Sequence, residues 1–249
     1  MTMDKTPCRG NFAFLQNGFT LVELAIGMLI IALLLGSILV PLSAQVEQRR
    51  ISETQRAAEE IREALLGFAV ANGHLPCPDK MGAGGVGTPN DGLEDVNGIS
   101  CVTQEGNVPW ATLGTPAGDS WGNRFRYRVD QTFSQRGPPI ISLSSASTIE
   151  ICEDAACTSR LTGTAPDGAV AVILSHGKNG LGAFNQTTNL QNPLPAVGTD
   201  ERENTDNDLV FVSRTRTGVG TAAGEFDDIV VWLSWPVLFN RMVAAGKLP

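Results

Sequence analysis

Gly18-Phe19-Thr20-Leu21-Val22-Glu23 runs directly into LAIGMLIIALLLGSILVPLSA, residues Leu24–Ala44, and the reading of this stretch decides the fold. No charged side chain interrupts the run from Leu24 to Ala44, which at about 1.5 Å per residue is about 30 Å of helix, the thickness of a bilayer's hydrocarbon layer. A helix buried in a globular core keeps a polar stripe; here only Ser37, Ser43 and the glycines Gly27 and Gly36 relieve the apolar surface. A cleaved secretory signal combines a basic start, a short apolar region and a small-x-small site. This run is longer than that and flows into further helix, so the stretch reads as one membrane span. Glu23 stands at its border, where a lone carboxylate costs somewhat less than the roughly 2.5–3.5 kcal/mol of a helix centre and needs a partner or a purpose.

Working outward, Gln45–Asn72 has no proline and places Ile51, Ala58, Ile61, Leu65, Phe68 and Ala69 at three- and four-residue spacings, with Glu59, Glu60, Arg62 and Glu63 opposite. That is an amphipathic helix, stopped by Gly73 and Pro76. Span and amphipathic part form one helix, in which Pro41 removes a hydrogen bond and should bend or loosen the middle. After His74 the texture changes to short apolar runs between Gly, Pro, Asn and Asp, the pattern of strands and long loops. Strands are expected at Phe125–Val129, Ile140–Leu143, Ala169–Leu174, Leu209–Ser213 and Ile229–Leu233, the third central because it is almost wholly apolar. Residues 80–107 read as loop. A last short helix is expected over Val237–Ala245, with Ser234 as its cap candidate and Gly246 as its end.

Composition narrows the function classes. The 249 residues carry 18 Lys+Arg against 26 Asp+Glu, a net charge of −8, which disfavours a general nucleic-acid surface. With 42% hydrophobic residues the chain is too apolar for disorder.

GFTLVE followed by some twenty apolar residues resembles the processing site of type IV prepilins and type II secretion pseudopilins. The resemblance implies a prepilin peptidase that cuts after Gly18 and methylates the new amino terminus at Phe19. It also implies that Glu23 guides assembly by pairing with a neighbouring subunit's terminal amine, which cleavage would place within about one helical turn of the carboxylate. The leader is long for the family, and Gln16-Asn17 stand where a basic residue is usual. Positive charges lie mainly beyond the span, at Arg49, Arg50, Arg56 and Arg62, so the orientation rests on the resemblance.

The implied organisation is a leader (1–18), a transmembrane and filament-core helix (19–44), an amphipathic helix (45–73) and a β-rich periplasmic head (74–249). The fold class is α+β, pilin-like, with the long helix packed on a C-terminal antiparallel sheet. The implied partners are prepilin peptidase, other pilins or pseudopilins and an inner-membrane assembly platform. The chain would reside in the inner membrane as a single-pass protein and then in a filament. The competing class is a membrane-anchored periplasmic binding domain that never polymerises.

Within the head, Asp119-Ser-Trp121-Gly122-Asn-Arg-Phe-Arg-Tyr127 resembles the D-x-W-G turn and following strand of major pseudopilin heads, and Val170–Gly180 resembles their next strand and glycine turn. Cys8 would leave with the leader. The remaining Cys77, Cys101, Cys152 and Cys157 are an even set suited to disulfides in an oxidising compartment. Three pairings are possible, the sequence-local one (Cys77–Cys101, Cys152–Cys157) being favoured, and no C-x2-C spacing suggests a zinc site. Arg124, Arg126 and Arg128 alternate and read as an exposed sheet face paired with carboxylates such as Asp227 and Asp228. The acidic stretch Asp200–Asp208 reads as a solvated loop, with calcium as the alternative because it concentrates oxygen ligands. No resident cofactor is expected.

Catalytic signals are thin. Gly82–Gly87 fits G-x-G-x-x-G but neither follows a strand nor opens a helix. His74 and His176 have no metal-binding mates in sequence, and Ser175 and His176 are neighbours that point to opposite strand faces. The chain reads as structural and not enzymatic.

Overall fold

The computed structural model describes residues 18, 20–137 and 141–248, with 35–42 described for the backbone only. It divides into two compact units, residues 1–47 and 48–249. Helix α1, Leu21–Asn72, runs through that division and through Pro41. It ends where expected: Gly73 takes φ +81°, the left-handed conformation that a glycine adopts without a Cβ clash, and its N–H bonds the Ala69 carbonyl at 2.8 Å.

In the first unit the helical side chains face outward, Leu21 at 86% and Leu33 at 68% exposure. Among the described residues no helix is long and apolar enough to cross a membrane. The side chains of 35–42, which the expected span needs, lie outside the description, as do the leader residues 1–17 and Phe19.

The second unit is α+β. Its elements are β1 (Val96–Asn97), β2 (Ser100–Cys101), β3 (Glu105–Asn107), α2 (Trp110–Leu113), β4 (Arg126–Val129), α3 (Gln131–Ser134), β5 (Glu150–Cys152), β6 (Ala169–Ser175), α4 (Asp200–Glu203), β7 (Val210–Val212), β8 (Ile229–Ser234) and α5 (Trp235–Ala244). A four-stranded antiparallel sheet has the order β3-β4-β6-β8, with the apolar β6 buried along its whole length. One face, with Tyr127, Val129, Ala171, Ile173 and Leu233, packs on Ala58, Ile61, Leu65, Leu66 and Ala69 of α1 and on Leu238, Phe239 and Met242 of α5. The other face carries Val172, with Val230 and Trp232 beside it, against Ile149, Ile151 and Phe211 of a two-stranded parallel pair, β5 and β7. A register shift between Ala169 and Ala171 reverses the alternation, so that Ala169 joins the second cluster and Val170 the first.

Several expectations need correction. Residues 80–107 hold three short strands and not loop alone. Ile140 lies outside the description, and Ile141–Leu143 is no strand: Ile141 is buried in the first cluster while Ser142 and Ser145 close a turn. β5 has no sequence signal because only three residues pair, and the pairing is parallel with a strand far along the chain. α5 begins two residues before its expected start, directly after Ser234, which caps by backbone conformation without a side-chain bond.

Candidate functional site

The junction residues form a compact local structure. Thr20 and Glu23 stand three apart before an apolar run, the T-x-x-E pattern of a capping box. The Thr20 N–H donates to Glu23 Oε2 at 3.0 Å, the Thr20 hydroxyl donates to the same oxygen at 2.9 Å, and the Glu23 N–H donates to Thr20 Oγ1 at 3.2 Å. The Thr20 carbonyl accepts the first helical bond, from Leu24, at 3.1 Å. Gly18 is exposed just outside this cap, and Phe19 lies outside the described residues. The spacing was readable in sequence, but the carboxylate's cost in lipid drew attention away from its use as a cap. Glu23 Oε1 makes no hydrogen bond among the described residues, so one oxygen of the exposed carboxylate is open to a cation from outside.

The head residues of the D-x-W-G stretch work as a structural joint. Asp119 Oδ1 accepts the N–H groups of Trp121 (3.0 Å) and Asn123 (2.9 Å), while its Oδ2 accepts the Ser175 hydroxyl at 2.7 Å. Gly122 sits at φ +87°, which fits glycine at this turn. The Ser120 N–H reaches Thr54 Oγ1 of α1 at 3.2 Å, so the turn ties helix to sheet. Tyr127 is wholly buried and donates its hydroxyl to the Pro76 carbonyl at 3.1 Å; burial pushes its phenol well above the ordinary range. Beside Pro76, Cys77 is bonded to Cys101, and Cys152 to Cys157, with Cα–Cα distances of 5.2 and 5.1 Å. The sequence-local pairing is the one formed.

The three alternating arginines do not make an exposed face. Arg124 lies over the Trp110 ring, 4.0 Å from its centroid, and donates to Asn189 Oδ1 at 2.6 Å. Arg126 is buried, paired with the equally buried Glu105 of β3, and donates to the Thr205 carbonyl at 3.2 Å. Arg128 binds the other Glu105 oxygen at 3.0 Å and Asn207 Oδ1 at 3.0 Å. Asp227 and Asp228 are not their partners. The arginines clamp the 200–208 segment to the sheet, which leaves no guanidinium stripe for phosphates.

Nor is that segment one solvated loop. Asp200 pairs with Arg214 at 2.6 Å, and Glu203, Asp206 and Asp208 lie together at the surface. Glu201 alone turns inward, where it meets Asp227 and Asp228 with ligand oxygens all within 4.8 Å of one another. Asn179 Nδ2 donates to both Glu201 oxygens at 3.0 and 3.1 Å, and Asn204 Nδ2 to Asp228 Oδ2 at 2.7 Å. Asp227 Oδ1 is buried without a hydrogen-bond partner. The wholly buried His176 places Nδ1 3.7 Å from Asp228 Oδ1, beyond hydrogen-bond reach. Burial first, then repulsion by Glu201 and Asp228, pushes the Asp227 carboxyl up to about 7; the same two causes raise Glu201. An oxygen-only donor set of this kind fits a hard divalent cation such as calcium. The second acid that burial raises to about 7 is Asp79, which accepts the N–H groups of Asn90 and Gly92.

Ser175 and His176 do not assemble a nucleophile. The hydroxyl is committed to Asp119 and both imidazole nitrogens lack hydrogen-bond partners. The glycine run 82–87 wraps the ammonium of Lys80, which donates to the Gly84 and Val86 carbonyls at 2.7 and 2.8 Å. Its carbonyls thus face a cation, the reverse of a phosphate cradle.

A capped, largely uncharged helix joined to a disulfide-bonded α+β head defines a protein built around an N-terminal junction. Residues 14–39 match the family described as the prokaryotic N-terminal methylation motif. That match supports a type IV prepilin-like, pseudopilin family for the chain, and with it a structural character. No curated protein and no solved structure matches the chain.

Proposed function

We propose that this protein is a structural subunit of a type IV pilus-like filament or of a type II secretion pseudopilus. The observation that carries the reading is the methylation motif over residues 14–39, centred on an exposed glycine next to a self-capped helix. In this reading prepilin peptidase cuts after Gly18 and methylates Phe19, and the stretch from Phe19 to Ala44 holds the subunit in the inner membrane with its head in the periplasm. The same apolar helix then packs among its copies as the filament core, delivered by an inner-membrane assembly platform. Because the helix leaves one apolar environment for another, assembly gains little from burial and is steered by packing and by Glu23. The open Oε1 of Glu23 supports this role, since it can take a neighbour's terminal amine without giving up the cap. The D-x-W-G joint and the disulfides hold the head rigid on the base of the helix.

The test is mass spectrometry of the amino-terminal peptide from membranes with and without prepilin peptidase. A peptidase-dependent terminus at N-methyl-Phe19 is expected. An uncleaved chain in cells that process other prepilins would defeat the reading in favour of an anchored domain that does not polymerise.

A further inference from the structure

The four-stranded sheet has two edges of unlike character. At one, β3 is buried and already has a backbone partner: the Asp79 N–H donates to the Asn107 carbonyl at 3.0 Å and the Asn107 N–H to the Asp79 carbonyl at 2.7 Å. At the other, β8 (Ile-Val-Val-Trp-Leu-Ser) has no strand on its outer side among the described residues. Natural sheets blunt a free edge with charge, proline, a bulge within the strand or very short length, because unpaired N–H and C=O groups template a further strand. This edge has six residues, none charged and none proline, and Val230, Val231 and Trp232 stay partly exposed.

A groove follows the edge. A cavity of ≈ 270 Å³ is lined by Val230–Ser234, by Glu59 and Arg62 of α1, and by Val237 at the start of α5. A second, of ≈ 260 Å³, continues from Val237 to Arg241 along α5. Val237 is 44% exposed between them. The rim is mixed in charge: Arg62 binds Glu59 at 2.9 Å and Arg241 binds Glu63 at 3.1 Å, while Arg62 Nε is buried without a hydrogen-bond partner.

We infer that this edge and groove form the contact with a second copy of the chain, β8 pairing antiparallel with the partner's β8 about a two-fold axis. Three observations select a second copy in that arrangement. Only one edge of the sheet is open, so copies cannot join β3 to β8 in a head-to-tail series, and edge-to-same-edge pairing is what remains. A rim holding both arginines and glutamates is self-complementary under a two-fold, which sets the cations of one protomer against the carboxylates of the other. The strand is apolar on both faces and uncharged, so it brings no like charge to its own image across the axis, despite the acidity of the whole chain. The pairing consumes the open edge and stops at two, which makes it a closed dimer and not a growing series. It uses head residues alone and does not depend on N-terminal processing.

The test is native mass spectrometry of the full, unprocessed chain in detergent over a range of concentrations. Three single variants are compared: Val231→Lys in the strand, Val237→Lys on the groove rim, and Val219→Lys on a distant loop, where the valine is 82% exposed. A dimer is expected whose Kd rises about tenfold or more with a lysine at 231 or 237 and is unchanged by one at 219, as a charge on a pairing edge demands. Val231 also packs on the core, so Val237→Lys, which leaves the strand intact, is the variant that decides. A monomer at every concentration overturns the inference, leaving the edge to a strand of a different polypeptide. So does a dimer indifferent to Val237→Lys, which would locate the contact in the apolar helix. Either result leaves the cleavage test at Gly18 untouched.

Discussion

The two units of this chain solve opposite problems. From Leu21 to Leu34 the apolar side chains face outward with nothing of the chain around them, whereas in the head charged groups such as Glu105, Arg126 and Asp228 are turned inward and matched. The first region needs an apolar medium supplied from elsewhere; the second has brought its polar partners along. The contrast teaches that hydrophobic content alone does not locate a core, because the most apolar stretch of the sequence is the least packed among the described residues. What locates the core is apolar spacing that matches a neighbour, as in Ala58, Ile61, Leu65 and Ala69 against β6.

The contrast predicts unequal sensitivity, and the largest effect should come from the buried ion cluster. Glu105→Ala leaves two arginines without their carboxylate and should cost about 3–5 kcal/mol, a fall in melting temperature on the order of 10 °C. A melt within the error of the parent protein would show that the cluster is dispensable. Removing the bridge of the longer loop, by Cys77→Ser with Cys101→Ser, should cost roughly 3 kcal/mol, against roughly 2 for the Cys152–Cys157 pair, because loop entropy grows with length. Equal losses in denaturant titrations would refute that ordering. Calcium at a hundred times its Kd should stabilise the full chain by about 2.7 kcal/mol. Chelator or Asp227→Asn should abolish the gain, and a calcium response surviving Asp227→Asn would move the ion away from Glu201, Asp227 and Asp228.

Asp79 and Asp227 sharpen the comparison through pH. Both carboxyls sit at about 7 in the fold, above their ordinary value of 3.8, so folding takes up protons as they titrate. Their contribution is complete below the unfolded value and is lost as pH rises through 7. Without added cation, stability should therefore be higher at pH 5 than at pH 8 by about 1–2 kcal/mol after allowance for solvent screening. Asp79→Asn and Asp227→Asn should each flatten the slope; a profile unchanged in both variants would contradict the assignment. The smallest effect belongs to the other region: Leu29→Ala, at a position 62% exposed, should change the head's melting by less than about 0.5 kcal/mol.

How much was legible in sequence follows the same divide. α1, its stop at Gly73, the central strand β6 and the strand β8 are carried by local periodicity and were readable. The three arginines were not, because their partners Glu105, Asn189 and Asn207 are distant in sequence and only strand register brings them together. Spacing also suggested Asp227 and Asp228 for them, when these acids instead meet Glu201 and lie beside His176. The acidic stretch 200–208 was visible as charge, but which of its acids faces inward is fixed by the short helix α4, whose cap is Thr199. The T-x-x-E pattern at Thr20 and Glu23 was fully present in sequence, hidden behind a second meaning of the same glutamate.

That cap has a consequence for maturation. Each hydrogen bond that starts the helix lies between Thr20, Glu23 and Leu24, on the carboxyl side of the Gly18–Phe19 peptide. A cut at that bond exchanges an amide for a charged amine and leaves the secondary structure downstream as it was. The substrate and the product of such a reaction share one conformation, so the head can complete its folding before or after the leader is lost, and the order of the two events carries no energetic penalty.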